Sequence, residues 1–336
     1  MRQAMVEARK GLGLTSPNPM VGAVLVRAGR VVARGHHRRA GAPHAEIECL
    51  DSYGESISPD LILYVTLEPC STTGRTPPCS EALIARGIRN VVIGAEDPNP
   101  AHSGRGIAFL RAAGIRVKAG VLEAECSGMN RAFNHWIRTK NPWVIAKCAM
   151  TLDGRLTRPP GEDRWITSPA ARRHANRFRA TVDAILVGAE TARADDPRLT
   201  VRARSVTRQP WRVILTRSGR LPASLNLLAD RLADRTLVFR NQPLADVLRS
   251  LGEKEITSVM IEGGGDVLGQ ALDQRLVHEV HLYFAPWISG GQTLAFAGEG
   301  AGCTKEALRL GAPEFETIGP DLLLRAQVIQ SQGSSE

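Results

Sequence analysis

Four residues in three separated segments constrain this chain most. His44 and Glu46 stand two apart in His44-Ala45-Glu46, Cys70 follows 24 residues after Glu46 in Pro69-Cys70-Ser71, and Cys79 closes Pro77-Pro78-Cys79. A neutral imidazole and two thiolates suit zinc, and three protein ligands leave a fourth position for water. Any fold must therefore bring the His44 segment against both cysteines. A structural zinc site closes its shell with four protein ligands, so the spare carboxylate of Glu46 points to a catalytic one.

The local setting agrees. Leu61 to Thr66 reads as a buried strand, which puts Glu68 to Cys70 just past a strand's carboxyl end, where open α/β sheets place ligands. Pro43 before His44, with Ile47 and Leu50 beyond, predicts a helix starting near His44, whose dipole favours Glu46 as carboxylate. The competing reading makes Cys70 and Cys79 packed thiols and His44 a surface residue. On the catalytic reading zinc activates a water and Glu46 moves its proton to a leaving amine, which is hydrolytic deamination of an amino-substituted heterocycle. Base deaminases share His-x-Glu followed by Pro-Cys and a second Cys. Nucleic-acid and cytidine deaminases place two residues between their cysteines, whereas eight intervene here, Ser71 to Pro78.

With 336 residues the chain exceeds one ordinary core, and two domains are expected, 1–141 and 142–336, divided in Arg138-Thr139-Lys140-Asn141-Pro142. Met1 to Leu14 is charged and carries no secretory signal, and no stretch is long enough to span a membrane, so a cytosolic location is expected. The six cysteines then read as two ligands and four packed thiols. A net charge of +9 speaks for anionic partners, but the arginines are dispersed and aromatics reach only 4%, so a nucleic-acid platform is poorly supported and phosphorylated small molecules fit as well.

Along the first half, helix signals at Met1–Leu14, from His44, at Pro78–Arg86, Arg105–Ala113 and Leu122–Arg138 alternate with strand signals. The strands fall at Val21–Val26, Val31–Ala33, Leu61–Thr66, Asn90–Gly94 and Arg116–Ala119. The second half predicts strands at Trp143–Met150, Ala184–Val187, Arg212–Leu215, Thr236–Phe239, Ser258–Ile261 and His278–Phe284. Its helices are expected from Ser168 or Pro169 to Arg179, at Leu244–Leu251 and at Asp266–Arg275. Such alternation argues for α/β sheets covered by helices on both faces. The tail Gln330 to Glu336 reads as disordered. Glu262-Gly263-Gly264-Gly265-Asp266 joins a strand to a helix and could cradle phosphate or simply make a tight loop; its spacing to Gly269 is not that of a Rossmann fingerprint.

The segments Thr15-Ser16-Pro17-Asn18-Pro19, Gly41-Ala42-Pro43-His44-Ala45-Glu46, Leu67-Glu68-Pro69-Cys70-Ser71, Gly74-Arg75-Thr76-Pro77-Pro78-Cys79 and Asp97-Pro98-Asn99-Pro100 closely resemble the bifunctional riboflavin-biosynthesis deaminase/reductase family. So do Lys147 to Arg155, Trp165-Ile166-Thr167-Ser168, Gly188 with Thr191, and Asp195 to Thr200, so the resemblance spans nearly the whole chain. It implies a cytidine-deaminase-like α/β/α zinc domain followed by a dihydrofolate-reductase-like α/β domain that uses NADPH. The implied reactions are removal of the 2-amino group from 2,5-diamino-6-(phosphoribosylamino)pyrimidin-4-one and then reduction of the ribosyl chain. Carried over, zinc falls to His44, Cys70 and Cys79, with Glu46 catalytic. The cofactor falls to Ala149, Trp165, Thr191, Asp195 and the run Gly264, Gly265, Asp266, Val267, Leu268, Gly269, Gln270. Substrate contacts fall to Asn18, Arg75, Asp163, Arg179, Leu199, Arg202 and Glu262. The chain departs from the family's common pattern at Thr72, Asp163 and Thr216-Arg217. The partner implied is a small phosphorylated pyrimidine, with no nucleic acid and no membrane; a homo-oligomer stays open. Two other classes compete: a zinc nucleic-acid deaminase with an appended basic binding domain, and a zinc-stabilised interaction protein in which Glu46 would have no purpose.

Overall fold

Apolar runs of alternating facing build one sheet in each half of the chain. The computed structural model describes residues 1–73, 77–156, 165–202 and 208–329, and the chain divides into the units Met1–Lys140 and Asn141–Glu336. Among the described residues no helix is long and apolar enough to cross a membrane.

The first unit runs α1 (Arg2–Arg9), β1 (Gly22–Arg27), β2 (Arg30–His36), α2 (Ala45–Tyr53), β3 (Ile62–Leu67), α3 (Cys79–Ala85), β4 (Asn90–Ala95), α4 (Arg105–Ala112), β5 (Arg116–Lys118), α5 (Glu123–Met129) and α6 (Arg131–Thr139). Its sheet has the order β2-β1-β3-β4-β5, with β1 antiparallel to β2 and β3, and β3, β4 and β5 parallel. Ala23, Leu25, Leu63, Val65, Val91 and Ile93 send their side chains to one face, where they meet Cys49 and Leu50 of α2, Leu83 of α3 and Leu110 of α4. The other face approaches its helices through missing side chains. A Cβ on Gly22 would stand 2.1 Å from the Ala4 carbonyl oxygen of α1, and one on Gly94 would stand 2.5 Å from the Cys126 sulfur of α5.

Two expected helices are shorter than their patterns. The one expected to reach Leu14 ends at Arg9, and successive turns carry the chain on through Lys10, Gly11 and Leu12 to Gly13, which takes a φ of 75° open mainly to glycine. The one expected over Leu122–Arg138 breaks at Asn130. There the side chain accepts from Met20 N (2.7 Å) and donates to Met20 O (2.9 Å), a tertiary demand that local periodicity does not encode.

The second unit runs β6 (Trp143–Thr151), α7 (Pro169–Phe178), β7 (Ala184–Gly188), α8 (Ala189–Asp195), β8 (Trp211–Thr216), α9 (Asn226–Ala229), β9 (Thr236–Arg240), α10 (Leu244–Glu253), β10 (Ser258–Glu262), α11 (Gly265–Asp273), β11 (Glu279–Ala285), β12 (Arg309–Ile318) and β13 (Asp321–Ile329). The sheet order is β12-β13-β11-β6-β10-β7-β8-β9, parallel from β11 through β9, with β13 antiparallel to β11 and β12 antiparallel to β13. Its central strands are buried on both faces, as parallel sheets are. Ala184 and Leu186 pack towards α10 and α11, while Ile185 and Val187 pack towards Ala189 and Ala192 of α8 and Leu227 of α9. Ser168 caps α7 by accepting from Ala171 N, with Pro169 in the first turn. The hairpin of β12 and β13 was not predicted; β12 is an exposed edge strand with no clean alternation of polarity. The tail expected to be disordered, Gln330–Glu336, lies outside the described residues.

Candidate active sites

In the first unit, His44 holds an extended backbone (φ −74°, ψ 164°) as the cap of α2, Cys79 opens α3, and Cys70 follows β3. The three donor atoms lie within 4.8 Å of one another. His44 Nδ1 is 3.2 Å from Cys79 Sγ and 3.6 Å from Cys70 Sγ. Zinc bonds at tetrahedral angles put such donors about 3.5 to 3.8 Å apart, so the set fits the metal with little movement. Cys70 Sγ also accepts from Cys79 N at 3.3 Å. The Cys79 thiol beside it holds Cys70 well below the ordinary thiol range and is itself pushed up.

Glu46, in the first turn of α2, is 3% exposed. Burial raises its carboxyl to about 7 against the pull of His44, so it exchanges a proton near neutral pH. Its Oε2 is buried with no hydrogen-bond partner among the described residues. Buried polar atoms are rarely left so, and an atom of this kind beside three metal donors is what a water or substrate amine would satisfy.

Two residues that sequence reasoning passed over complete the arrangement. Asn18 Nδ2 donates to His37 Nε2 at 3.1 Å, and His37 Nδ1 faces Pro43 O at 3.1 Å. A carbonyl only accepts, so Nδ1 carries the proton and Nε2 is left to receive the amide. Burial lowers the His37 pKa and keeps that neutral form, and its ring stands edge-on to His44 at 5.2 Å. The second is Glu68, 5% exposed, which accepts from Asp97 N (3.0 Å), Gly104 N (3.0 Å) and Ile107 N (3.1 Å). It ties the Asp97-Pro98-Asn99 loop and the start of α4 to the segment that carries Cys70. Neither had a periodic signal, although a glutamate beside Pro69-Cys70 at a strand's end is a visible oddity. Arg75 lies outside the described residues.

The second unit holds a cavity of about 1590 Å³ at the carboxyl ends of β6, β10, β7, β8 and β9. That exceeds the range of about 300 to 1,000 Å³ for single small-molecule pockets and leaves room for a dinucleotide and a substrate together. Ala149, Trp165, Thr191, Asp195, Arg179, Leu199, Arg202, Glu262, Gly264, Gly265, Asp266, Val267 and Gln270 all line it. Leu268 and Gly269 do not: Leu268 is buried in the core, and a Cβ on Gly269 would stand 2.4 Å from Gly298 N. Asp163 lies outside the described residues.

Gly263 and Gly264 take φ of 108° and 73°, so the turn before α11 bares its backbone beside Thr191, whose hydroxyl would be 3.2 Å from a Cβ on Gly264. The bare turn, with the amides that open α11, suits a phosphate. On the α7 side, Arg179 grips Glu262 with two bonds of 2.6 and 2.8 Å, and Lys147 Nζ stands 3.8 Å from the same carboxylate. Burial alone would raise Glu262, but the two cations outweigh it and hold the carboxyl at about 2. The Lys147 ammonium also lies 5.6 Å from the Tyr283 ring centroid, and the Tyr283 hydroxyl meets His174 Nδ1 at 2.8 Å. Lys147 was legible as a lysine amid the buried run Val144 to Met150 but was not singled out.

Comparison with known proteins follows the same division. Residues 1–95 match the cytidine and deoxycytidylate deaminase zinc-binding region, and residues 142–324 match the RibD C-terminal domain. The riboflavin biosynthesis protein RibD of Actinobacillus pleuropneumoniae is 39% identical, over 98% of this chain and 94% of its own length. A solved RibD structure from Acinetobacter baumannii superposes with a TM-score of 0.90 at 35% identity, over 98% of both chains. A Thermotoga maritima diaminohydroxyphosphoribosylaminopyrimidine deaminase/5-amino-6-(5-phosphoribosylamino)uracil reductase superposes at 0.87 and 35%, over 98% of this chain and 97% of its own.

Proposed function

The chain belongs to the RibD family of riboflavin biosynthesis, bifunctional enzymes that join a zinc deaminase of the cytidine-deaminase type to an NADPH-dependent reductase, and on that premise we propose how its residues divide the two reactions. His44, Cys70 and Cys79 hold the zinc, which when bound makes water nucleophilic near neutral pH. Water oxygen bonds to C2 of 2,5-diamino-6-(5-phosphoribosylamino)pyrimidin-4-one, and the bond from C2 to the amine then breaks as the C2 carbonyl forms. Glu46 takes one proton from the water and gives it to the ring nitrogen beside C2, then passes the second, from the new hydroxyl, to the departing ammonia, ending in the state in which it began. Asn18, fixed by the neutral His37, orients the base, and Arg75 is assigned to the substrate by its place in the sequence.

In the second unit the Gly264–Gln270 segment receives the cofactor's diphosphate, and Ala149, Trp165, Thr191 and Asp195 flank the rest of it. NADPH supplies the reducing equivalents for conversion of the ribosyl chain to ribityl. Arg179 and Glu262, with Lys147, form a fixed charged wall for the substrate; Leu199 and Arg202 extend it, and Asp163 is assigned by sequence. A small phosphorylated pyrimidine, not nucleic acid, is the partner this cavity suits. Six unpaired cysteines support a reducing compartment, and we assign the chain to the cytosol.

The observation that carries the deaminase reading is the convergence of three metal donors beside a buried carboxyl with one unsatisfied oxygen. Glu46→Gln tests it. Zinc content should stay at wild type, ammonia release from the diaminopyrimidine phosphate should fall by about 10² or more, and NADPH oxidation with the deaminated compound should persist. Undiminished ammonia release would overturn the assignment.

A further inference from the structure

Two cations share the Glu262 carboxylate in the second unit, but unequally. Arg179 takes it with two bonds of 2.6 and 2.8 Å. Lys147 rises from the middle of β6, opposite Glu262 of β10, and its ammonium stands 3.8 Å away, outside the range of about 2.7 to 3.2 Å for a hydrogen bond. A lysine ends in a compact charge on a flexible stem, so attraction to a carboxylate that Arg179 already occupies does not fix where its N–H groups point.

Tyr283 is placed to fix them. On β11 it lies opposite Ala149 of β6, two residues beyond Lys147 and on the same face of the sheet. Ala149 is too small to screen the ring, and the Lys147 ammonium stands over it, 5.6 Å from its centroid. Tyr283 lines the cavity yet is only 1% exposed, packed with Ala171 and Ala175 of α7 and Leu323 of β13. Its hydroxyl meets His174 Nδ1 of α7 at 2.8 Å. Burial holds the phenol above its ordinary range and His174 below its own, so this bond joins two neutral groups. The helix is anchored in turn, because Ser168 N at its cap donates to Asp321 Oδ2 at the start of β13 (2.9 Å). The aromatic face is therefore a fixed surface beside a flexible charge.

We infer that Tyr283, pinned by His174, is a positioning residue of the reductase: its ring face holds the Lys147 ammonium beside Glu262 and so aims the lysine at the substrate. The inference rests on the reading of Lys147 as part of the substrate wall. A ring face attracts a cation within about 6 Å, most strongly where water is excluded, and the Lys147 side chain is 16% exposed. That attraction acts on the charge and occupies no lone-pair acceptor, so the ammonium's three donors stay available to a ligand.

The test uses the full-length zinc-loaded protein and calorimetric titration with 5-amino-6-(5-phosphoribosylamino)uracil and, separately, with NADPH. Tyr283→Leu should bind the uracil compound about 3- to 30-fold more weakly, the range of a partly to fully desolvated cation–π contact, while NADPH affinity holds and shows that the second unit is folded. Tyr283→Phe keeps the ring and should recover most of the loss. Lys147→Met should weaken binding on its own, and adding Tyr283→Leu to it should cost less than about twofold more, because the tyrosine acts through the lysine. Unchanged affinity in Tyr283→Leu overturns the inference, and so does a Tyr283→Leu loss of the same size in the Lys147→Met background. Tyr283→Phe binding as weakly as Tyr283→Leu overturns it too, by moving the role from the ring to the hydroxyl. If Lys147→Met binds as the wild type does, the substrate-wall reading fails and the inference with it.

Discussion

Glu262→Gln isolates what the buried ion cage contributes. The carboxyl sits at about 2 against an ordinary 4.5, and each pKa unit corresponds to about 1.4 kcal/mol, so ionisation is favoured by roughly 3 kcal/mol in the folded chain. Removing one partner of a buried pair leaves an uncompensated charge and costs about 3 to 5 kcal/mol, a range that meets the first figure. Here Arg179 and Lys147, at 15% and 16% side-chain exposure, would both lose their counter-ion. The sign follows from a depressed folded-state pKa: the stabilisation is complete above 4.5 and is lost as pH falls towards 2. Urea unfolding followed by tryptophan fluorescence should therefore show the wild type about 3 kcal/mol more stable than Glu262→Gln at pH 7, with the gap closing below about pH 4.5. Four of the five tryptophans, Trp143, Trp165, Trp211 and Trp287, lie in the second unit, so the signal reports mainly on it. A gap under about 0.5 kcal/mol at pH 7, or one that does not shrink with acid, refutes the cage as a source of stability.

Chelation should stop ammonia release yet leave NADPH-dependent reduction of the deaminated compound at its full rate, because the described second unit contains no further cluster of metal donors; loss of both on chelation counts against this division. Gly22→Ala drives a Cβ to 2.1 Å from the α1 backbone and should destabilise the first unit by about 1 to 3 kcal/mol, read as a drop in the thermal midpoint of the deaminase activity; an unchanged midpoint would mean that α1 is free to move away.

The deaminase centre was the most legible part of the chain because its chemistry is written in residue types. His44, Cys70 and Cys79 have few other reasons to be spaced as they are, and the donor atoms do converge. The strands β3, β4, β7 and β10 were legible for a similar reason, since burial on both faces leaves an unbroken apolar run. What escaped depends on partners distant in sequence. Asn130 breaks a continuous helical pattern to hold Met20, and the hairpin of β12 and β13 has an edge strand that faces solvent along most of its length. His37 acquires its importance only when the fold sets Pro43 on one side and Asn18 on the other.

Glu68 bears on the order in which the metal centre comes together. Its carboxylate gathers three amides from one loop and the start of α4 while standing two residues from Cys70. The cysteine is thus anchored by contacts in which no metal takes part. A zinc finger is unfolded without its metal, because binding and folding are one event. Here the backbone beside Cys70 is held by hydrogen bonds of the protein's own, so less of the ordering falls to the ion. Metal-free protein should keep its shape and reload on adding zinc.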